Sequence, residues 1–538
     1  MRKLTTLPGI CTSAVIMMLA AVPASAQLTD TTDAPNTINA GIRKSVAQEI
    51  GTGRGGLITP DSSIFIINRD PFRAIQRGRQ LFQRKWTRAQ GQGPGVNDGV
   101  GNLDTTPAIG SGLTDSCAMC HSQPAGSAGV GGSNTNRPDT RNAPHLFGVG
   151  IKEMLGDEIT GDLRAIRDHA IDQSRLDGRP VIASLDSKGI NYGSITAFPD
   201  GHLDTDGIEG CDRLNPAAPC AIERNLRVNV FGWQGNRSSL REFVGGPVPK
   251  EVMGLILDDP DLHAACTGSR VVTPSGKVLD GTTDHFDCPP NDPVEQPVAV
   301  VDYLEFYLLH YFKPGTHQQT PFTEQGRRAF QDIGCARCHV LNLRIDHDRR
   351  AADVETVFDE ANGIFNRLFA TATPLFRAMP DDGILCATAS GSRPCPVKAP
   401  LLGTFTVRSI GTDFKRHNLG PNFWERNFDG TIRKMIKTPE LWGVGSTPAY
   451  GHDGRSINLA EVILRHGGDA QVERDAFASL SLPAQRAVLD FLNSLVIFSP
   501  PNTASNLDPG NRGAANFPQN GHGSIRLQTL FNDTTDPE

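Results

Sequence analysis

Two pentapeptides carry the plainest chemistry in this chain: Cys117-Ala118-Met119-Cys120-His121 and Cys335-Ala336-Arg337-Cys338-His339. The spacing C-x-x-C-H is the attachment signature of c-type haem. Two thiols one turn apart can form thioethers to both haem vinyl groups, and the histidine that follows is held beneath the iron as its proximal ligand. With 11 Cys and 14 His in 538 residues, chance supplies only ~0.006 such pentapeptides. A zinc or thioredoxin-like reading fits less well, because each pair has its own histidine directly behind it and no second C-x-x-C nearby. The expected cofactor is two covalently bound haem c groups. Cys117, Cys120, Cys335 and Cys338 would attach them, and His121 and His339 would ligate the irons.

The elements around these motifs repeat. Gly78-Arg79-Gln80-Leu81-Phe82 opens an amphipathic helix expected to reach about Trp86, and Gly326-Arg327-Arg328-Ala329-Phe330 leads into Cys335. Ala143 to Gly150 matches Thr438 to Gly445 at five of eight positions. Gly232 to Glu242 pairs with Gly451 to Glu461, each Gly-rich turn opening a helix at Leu240 or Leu459. A fourth match sets Val301-Asp302-Tyr303-Leu304-Glu305-Phe306 against Leu489-Asp490-Phe491-Leu492-Asn493-Ser494, in helices that would close a domain. Four elements recurring in one order imply a mainly α protein, a tandem of two cytochrome c-like haem domains over 70–312 and 313–500. Ile151 to Val230 and Leu341 to Met435 are loop-rich insertions. Residues 27–69 read as an extension of low regularity, 91–112 as a Gly-rich linker, and 501–538 as a weakly ordered tail.

Arg2 and Lys3, the apolar run Ile10 to Val22 and Ala24-Ser25-Ala26 read as a secretory signal over 1–26, which implies a periplasmic or secreted protein. No other apolar run is long enough to span a bilayer. Beyond Cys11 and the haem cysteines, six remain in close pairs: Cys211/Cys220, Cys266/Cys288 and Cys386/Cys395. Three short-range disulfides suit an exported protein, with buried free thiols as the alternative. A net charge of -7 gives no basic surface for nucleic acid.

With these residues in hand, the chain resembles the bacterial di-haem cytochrome c peroxidase superfamily, MauG-type enzymes included. Phe231-Gly232-Trp233-Gln234-Gly235-Asn236-Arg237, with Leu240, Glu242 and Gly246-Pro247, is similar to its F-W-D-G-R…L-x-E-Q…G-P segment. Tyr450-Gly451-His452-Asp453-Gly454-Arg455 is similar to its F-H-D-G segment. His466-Gly467-Gly468-Asp469-Ala470 and Thr412 to Gly420 look closest to the di-haem oxidoreductases described as thiol oxidoreductases. The resemblance implies that His466, 14 residues past His452, is the sixth ligand of the C-terminal haem, making a bis-His centre. It also implies that Trp233 relays electrons between the haems and that Glu251 moves protons for bound peroxide. The residue 14 past Trp233 is Pro247, which has no donor atom for iron, as in MauG-like members, so the N-terminal haem should be open. His145, His417 and His452 are expected to play secondary roles, with His145 the alternative distal ligand. The resemblance leaves calcium between the units as an open addition.

Three functions follow in order. The first is a peroxidase-like oxidoreductase: electrons from a small redox donor such as a cytochrome c or cupredoxin enter at the C-terminal haem, and hydrogen peroxide or a small oxidant reacts at the N-terminal one. The second is a non-enzymatic electron-transfer cytochrome with both irons six-coordinate. The third is a haem dioxygenase resembling the rubber oxygenases.

Overall fold

The computed structural model describes most of residues 62–86, 114–350 and 404–497, short strand segments between 352 and 394, and Ile50. The signal segment, the linker 91–112, the tail, Pro247, Glu251, Cys288 and Cys395 lie outside the described residues, as do the side chains of Cys266 and Cys386. No helix among the described residues is long and apolar enough to cross a membrane. Of the three expected disulfides, the structure contains Cys211–Cys220.

The stretch expected to be irregular ends in a helix, α1, Ser63–Arg69. Ser62 caps it by accepting from Phe65 N, and Ile64, Ile66 and Ile67 are buried. Polar surroundings hid this helix because its apolar run, Ile64 to Ile67, is only four residues long. Helix α2, Pro71–Gln83, starts earlier than Gly78, since Asp70 caps Arg73 N and Pro71 supplies a preset φ at the first position. Its counterpart α7, Pro321–Asp332, begins the same way, with a Thr320/Thr323 capping box and Pro321.

Between them lie α3 (Val149–Asp177), a three-stranded antiparallel sheet (Val181–Ser187, Ile190–Ala197, Leu203–Asp204), α4 (Leu240–Gly245), α5 (Pro260–Cys266) and α6 (Val298–Leu309). After α7 come α8 (Leu459–Arg465), α9 (Gln471–Ser479) and α10 (Leu482–Asn493). The first insertion is therefore structured, and α3 is its spine. The octapeptide that launches α3 recurs at 438–445, with Gly148 and Gly443 at φ 72° and 80°. There it starts only the 3-10 turn Val444–Ser446, because Pro448 follows and cannot continue a helix.

The repeats coincide in detail. Phe231 bridges Arg237 as Tyr450 bridges Ser456. Glu242 accepts from Ser238 N at 3.2 Å as Glu461 accepts from Ile457 N at 3.0 Å. The fourth match needs correction by one helical turn. A Cβ on Gly78 would lie 2.1 Å from Tyr303 O, and one on Gly326 1.8 Å from Ala487 O. Gly150 meets Leu309 O as Gly445 meets Asn493 O, at 1.9 and 2.2 Å. Tyr303 thus corresponds to Ala487 and Tyr307 to Phe491. A helix face returns every three to four residues, so apolar periodicity alone cannot distinguish registers one turn apart.

Candidate functional site

The two pentapeptides form matching 3-10 turns, Cys117–Met119 and Cys335–Arg337. The rings of Phe82 and His121 lie 6.0 Å apart at 52°, and those of Phe330 and His339 6.2 Å apart at 53°. Behind each phenylalanine stands an edge-on ring from the closing helix, Tyr307 at 5.9 Å or Phe491 at 5.7 Å. The repeated helices thus deliver the same aromatic stack to each histidine.

His121 Nδ1 lies 3.1 Å from Gly129 O, and His339 Nδ1 lies 2.9 Å from Gly411 O. A carbonyl can only accept, so Nδ1 carries the proton and Nε2 keeps its lone pair for a metal. Ala128 O and Ile410 O, one residue before each acceptor, receive Leu146 N and Leu441 N. Gly129 and Gly411 therefore orient the two histidines, which sequence reasoning missed. The second lies 72 residues beyond its histidine and the first only 8, which obscured the repeat. Gly411 also needs its φ of 67°, and a Cβ there would sit 2.6 Å from Leu441 Cβ.

His466 caps the C-terminus of α8 and places Nδ1 2.7 Å from Val462 O. It lines, with Cys335, Cys338 and His339, a cavity of about 250 Å³. Phe423 meets the His466 ring edge-on at 5.1 Å. Burial lowers the proton affinity of both histidines, His339 to about 4, so both are neutral donors at physiological pH. Burial also pushes the Cys117 thiol up to about 12 and Cys335 to about 11, holding both uncharged in apolar surroundings. The donor set and the apolar walls fit a covalently attached haem at the second pentapeptide. At the first, the attachment turn and His121 fit equally, while Pro247 and Glu251 lie outside the described residues.

Trp233 lines the same cavity and is half-buried. Its indole N–H donates to Asn142 O at 2.8 Å, and Asn142 N donates to the carbonyl of His452, the repeat partner of Trp233, also at 2.8 Å. His452 is buried, and its Nδ1 has no partner among the described residues. His145 places Nε2 2.9 Å from Trp442 O, so that nitrogen is the protonated donor and is engaged away from any metal.

Another neglected neighbour is Met253, buried, with Sδ 4.0 Å from Cys117 Sγ. Among the described residues, the one group of three potential metal ligands is Cys338, Asp413 and His417. Since Cys338 belongs to the haem pentapeptide, this group does not supply a calcium site. Burial opposes charge on His417, but Asp413 at 2.8 Å and Cys338 outweigh it, raising the imidazole to about 10.

Residues 411–495 match the family model described as "Di-haem oxidoreductase, putative peroxidase". No curated protein matches the chain. The family match covers His417, His452 and His466, and it supports placing this chain with the di-haem peroxidases at the level of an oxidoreductase that uses haem.

Proposed function

We propose that the protein is an exported di-haem c-type oxidoreductase of peroxidase type, built from two cytochrome c-like units. The observation that carries this reading is the common anchoring of His121, His339 and His466, each with Nδ1 fixed on a backbone carbonyl and Nε2 left for iron. Bound haem would supply reversible one-electron chemistry and, where a coordination position stays open, a metal for peroxide. In the second unit His339 and His466 would both hold the haem iron, which would keep substrate out and leave that unit to receive electrons. Trp233, its indole held by Asn142 O, is the relay between units. In the first unit His121 would hold the haem iron, Pro247 has no donor atom to offer it, and Glu251 would move protons for peroxide.

The test is electron paramagnetic resonance of the oxidised protein. One high-spin and one low-spin haem are expected, with cyanide binding only the first, and His466→Ala should convert the low-spin signal to high-spin. Two low-spin signals that cyanide leaves untouched would replace this reading with an electron-transfer cytochrome. Met253 is the observation that favours that second reading, because its thioether sits beside Cys117 and could supply a sixth ligand.

A further inference from the structure

Among the charged side chains that line the cavity holding His339 and His466, three form one cluster that neither ligand set uses. Lys152, from the first turn of α3, places Nζ 2.9 Å from Glu440 Oε1, and Lys437 Nζ lies 3.1 Å from the same oxygen. The Lys152, Lys437 and Glu440 side chains are 11%, 3% and 12% exposed. One carboxylate therefore answers two ammonium groups, and the wall carries a surplus positive charge away from bulk water. Leaving a buried ammonium only partly neutralised is costly. Burial accordingly loosens the Lys152 proton to about 8, whereas the two lysines outweigh burial at Glu440 and hold it at about 2.

A second observation points the same way. Trp442, 2% exposed, lines this cavity, and its Nε1, a donor that cannot accept, has no acceptor among the described residues. A cation surplus and an unanswered N–H on residues lining one cavity call for an anionic acceptor. The fold does not explain the surplus, since the repeat partner of Lys152 is the uncharged Thr447.

We infer that Lys152 and Lys437, clamped by Glu440, form a carboxylate-binding station, and that its occupant is a propionate of the haem attached through Cys335 and Cys338. The inference rests on the di-haem reading. Cys335 and Cys338 line the same cavity, so the carboxylates of a haem tethered there reach the lysines at high effective concentration, which a free anion lacks. Lys152 would then tie the spine of the first unit to the cofactor of the second. Lys437 N, donating to Trp233 O at 3.0 Å, would hook that contact to the relay residue.

The experiment compares Lys152→Met, Lys437→Met, Lys152→Arg and Glu440→Gln in the full holoprotein. Pyridine haemochrome assay should find two haems per chain in every variant. Fewer than two in the unaltered protein would fail the di-haem reading itself and is scored separately. Redox titration should show either Met variant lowering the midpoint potential of the low-spin haem, because lost positive charge favours the oxidised state. Lys152→Arg should restore the potential and Glu440→Gln should raise it. Resonance Raman spectra should show the propionate bending band of that haem shifted in both Met variants. An unchanged band with two haems bound overturns the assignment. A wild-type potential that moves with added acetate at fixed ionic strength assigns the station to a free anion and equally overturns it.

Discussion

Helix α6 carries Asp302 and Glu305 fully buried, whereas its repeat counterpart α10 carries Arg486 exposed and Leu489 half-buried at the corresponding positions. Every residue of α6 from Ala299 to Leu309 is buried, but on α10 only Ala487, Val488, Phe491 and Leu492 are. The face that meets the haem motif is shared: Gly78 or Gly326 seats on it, and Tyr307 or Phe491 stacks on the phenylalanine behind the histidine. The opposite face differs because α1 and α4 wrap the first unit. There Arg241, 0% exposed, bonds Asp259 at 2.8 Å, Asp302 at 3.0 Å and Glu305 at 2.8 Å. Its repeat partner is Ala460. The pentapeptide side of the two closing helices is alike, and what covers the other side decides whether it is ionic or apolar.

Four paired comparisons test this division, the last of them at Glu305. The largest should come at the shared face: Cys335→Ala with Cys338→Ala should reduce haem from two per chain to one, as should Cys117→Ala with Cys120→Ala, read by pyridine haemochrome. Unequal losses would break the equivalence of the two motifs. Arg241→Met should destabilise the protein by about 3–5 kcal/mol in urea unfolding, since it strands buried carboxylates, whereas Ala460→Met at the partner position should do far less. Gly78→Ala and Gly326→Ala should each cost about 2–3 kcal/mol, as a methyl group is driven onto a packed carbonyl. A neutral result at either would show that the two helix pairs do not share that contact.

Much of the shared face was legible in the sequence, because chemistry fixes it locally. Pentapeptides, glycine turns and the octapeptide each occupy a short window whose residue types admit few alternatives. The register of the closing helices was not legible, because a shift of one turn preserves the apolar face. Gly129 and Gly411 were hidden by unequal insertions, and the Arg241 cluster by the fact that its members, from 241 to 305, carry no spacing rule. Lys152 lies far before Lys437 and Glu440 in the sequence, and the three meet only in the folded chain. The long α3 was missed where its launching motif, read as a repeat, gave no sign that Pro448 stops one copy and nothing stops the other.

The smallest effect should come from Glu305, and its sign is fixed. Burial pushes this carboxyl up to about 7 from the ordinary 4.5, because Arg241 is shared with Asp259 and Asp302 and cannot fully offset it. The folded protein therefore binds this proton more tightly than the unfolded chain. The stability it contributes is present below about pH 4.5 and is lost as pH rises through 7, with a slope no steeper than about 1.4 kcal/mol per pH unit. Glu305→Gln removes the titration and should flatten the change between pH 5 and pH 8 by about 1–2 kcal/mol, measured as paired urea midpoints. The partner substitution Leu489→Gln has no acid to remove and should leave the pH dependence alone. An identical slope in wild type and Glu305→Gln would show that Arg241 keeps Glu305 ionised throughout, so that the ionic face of the first unit is as insensitive to pH as the apolar face of the second.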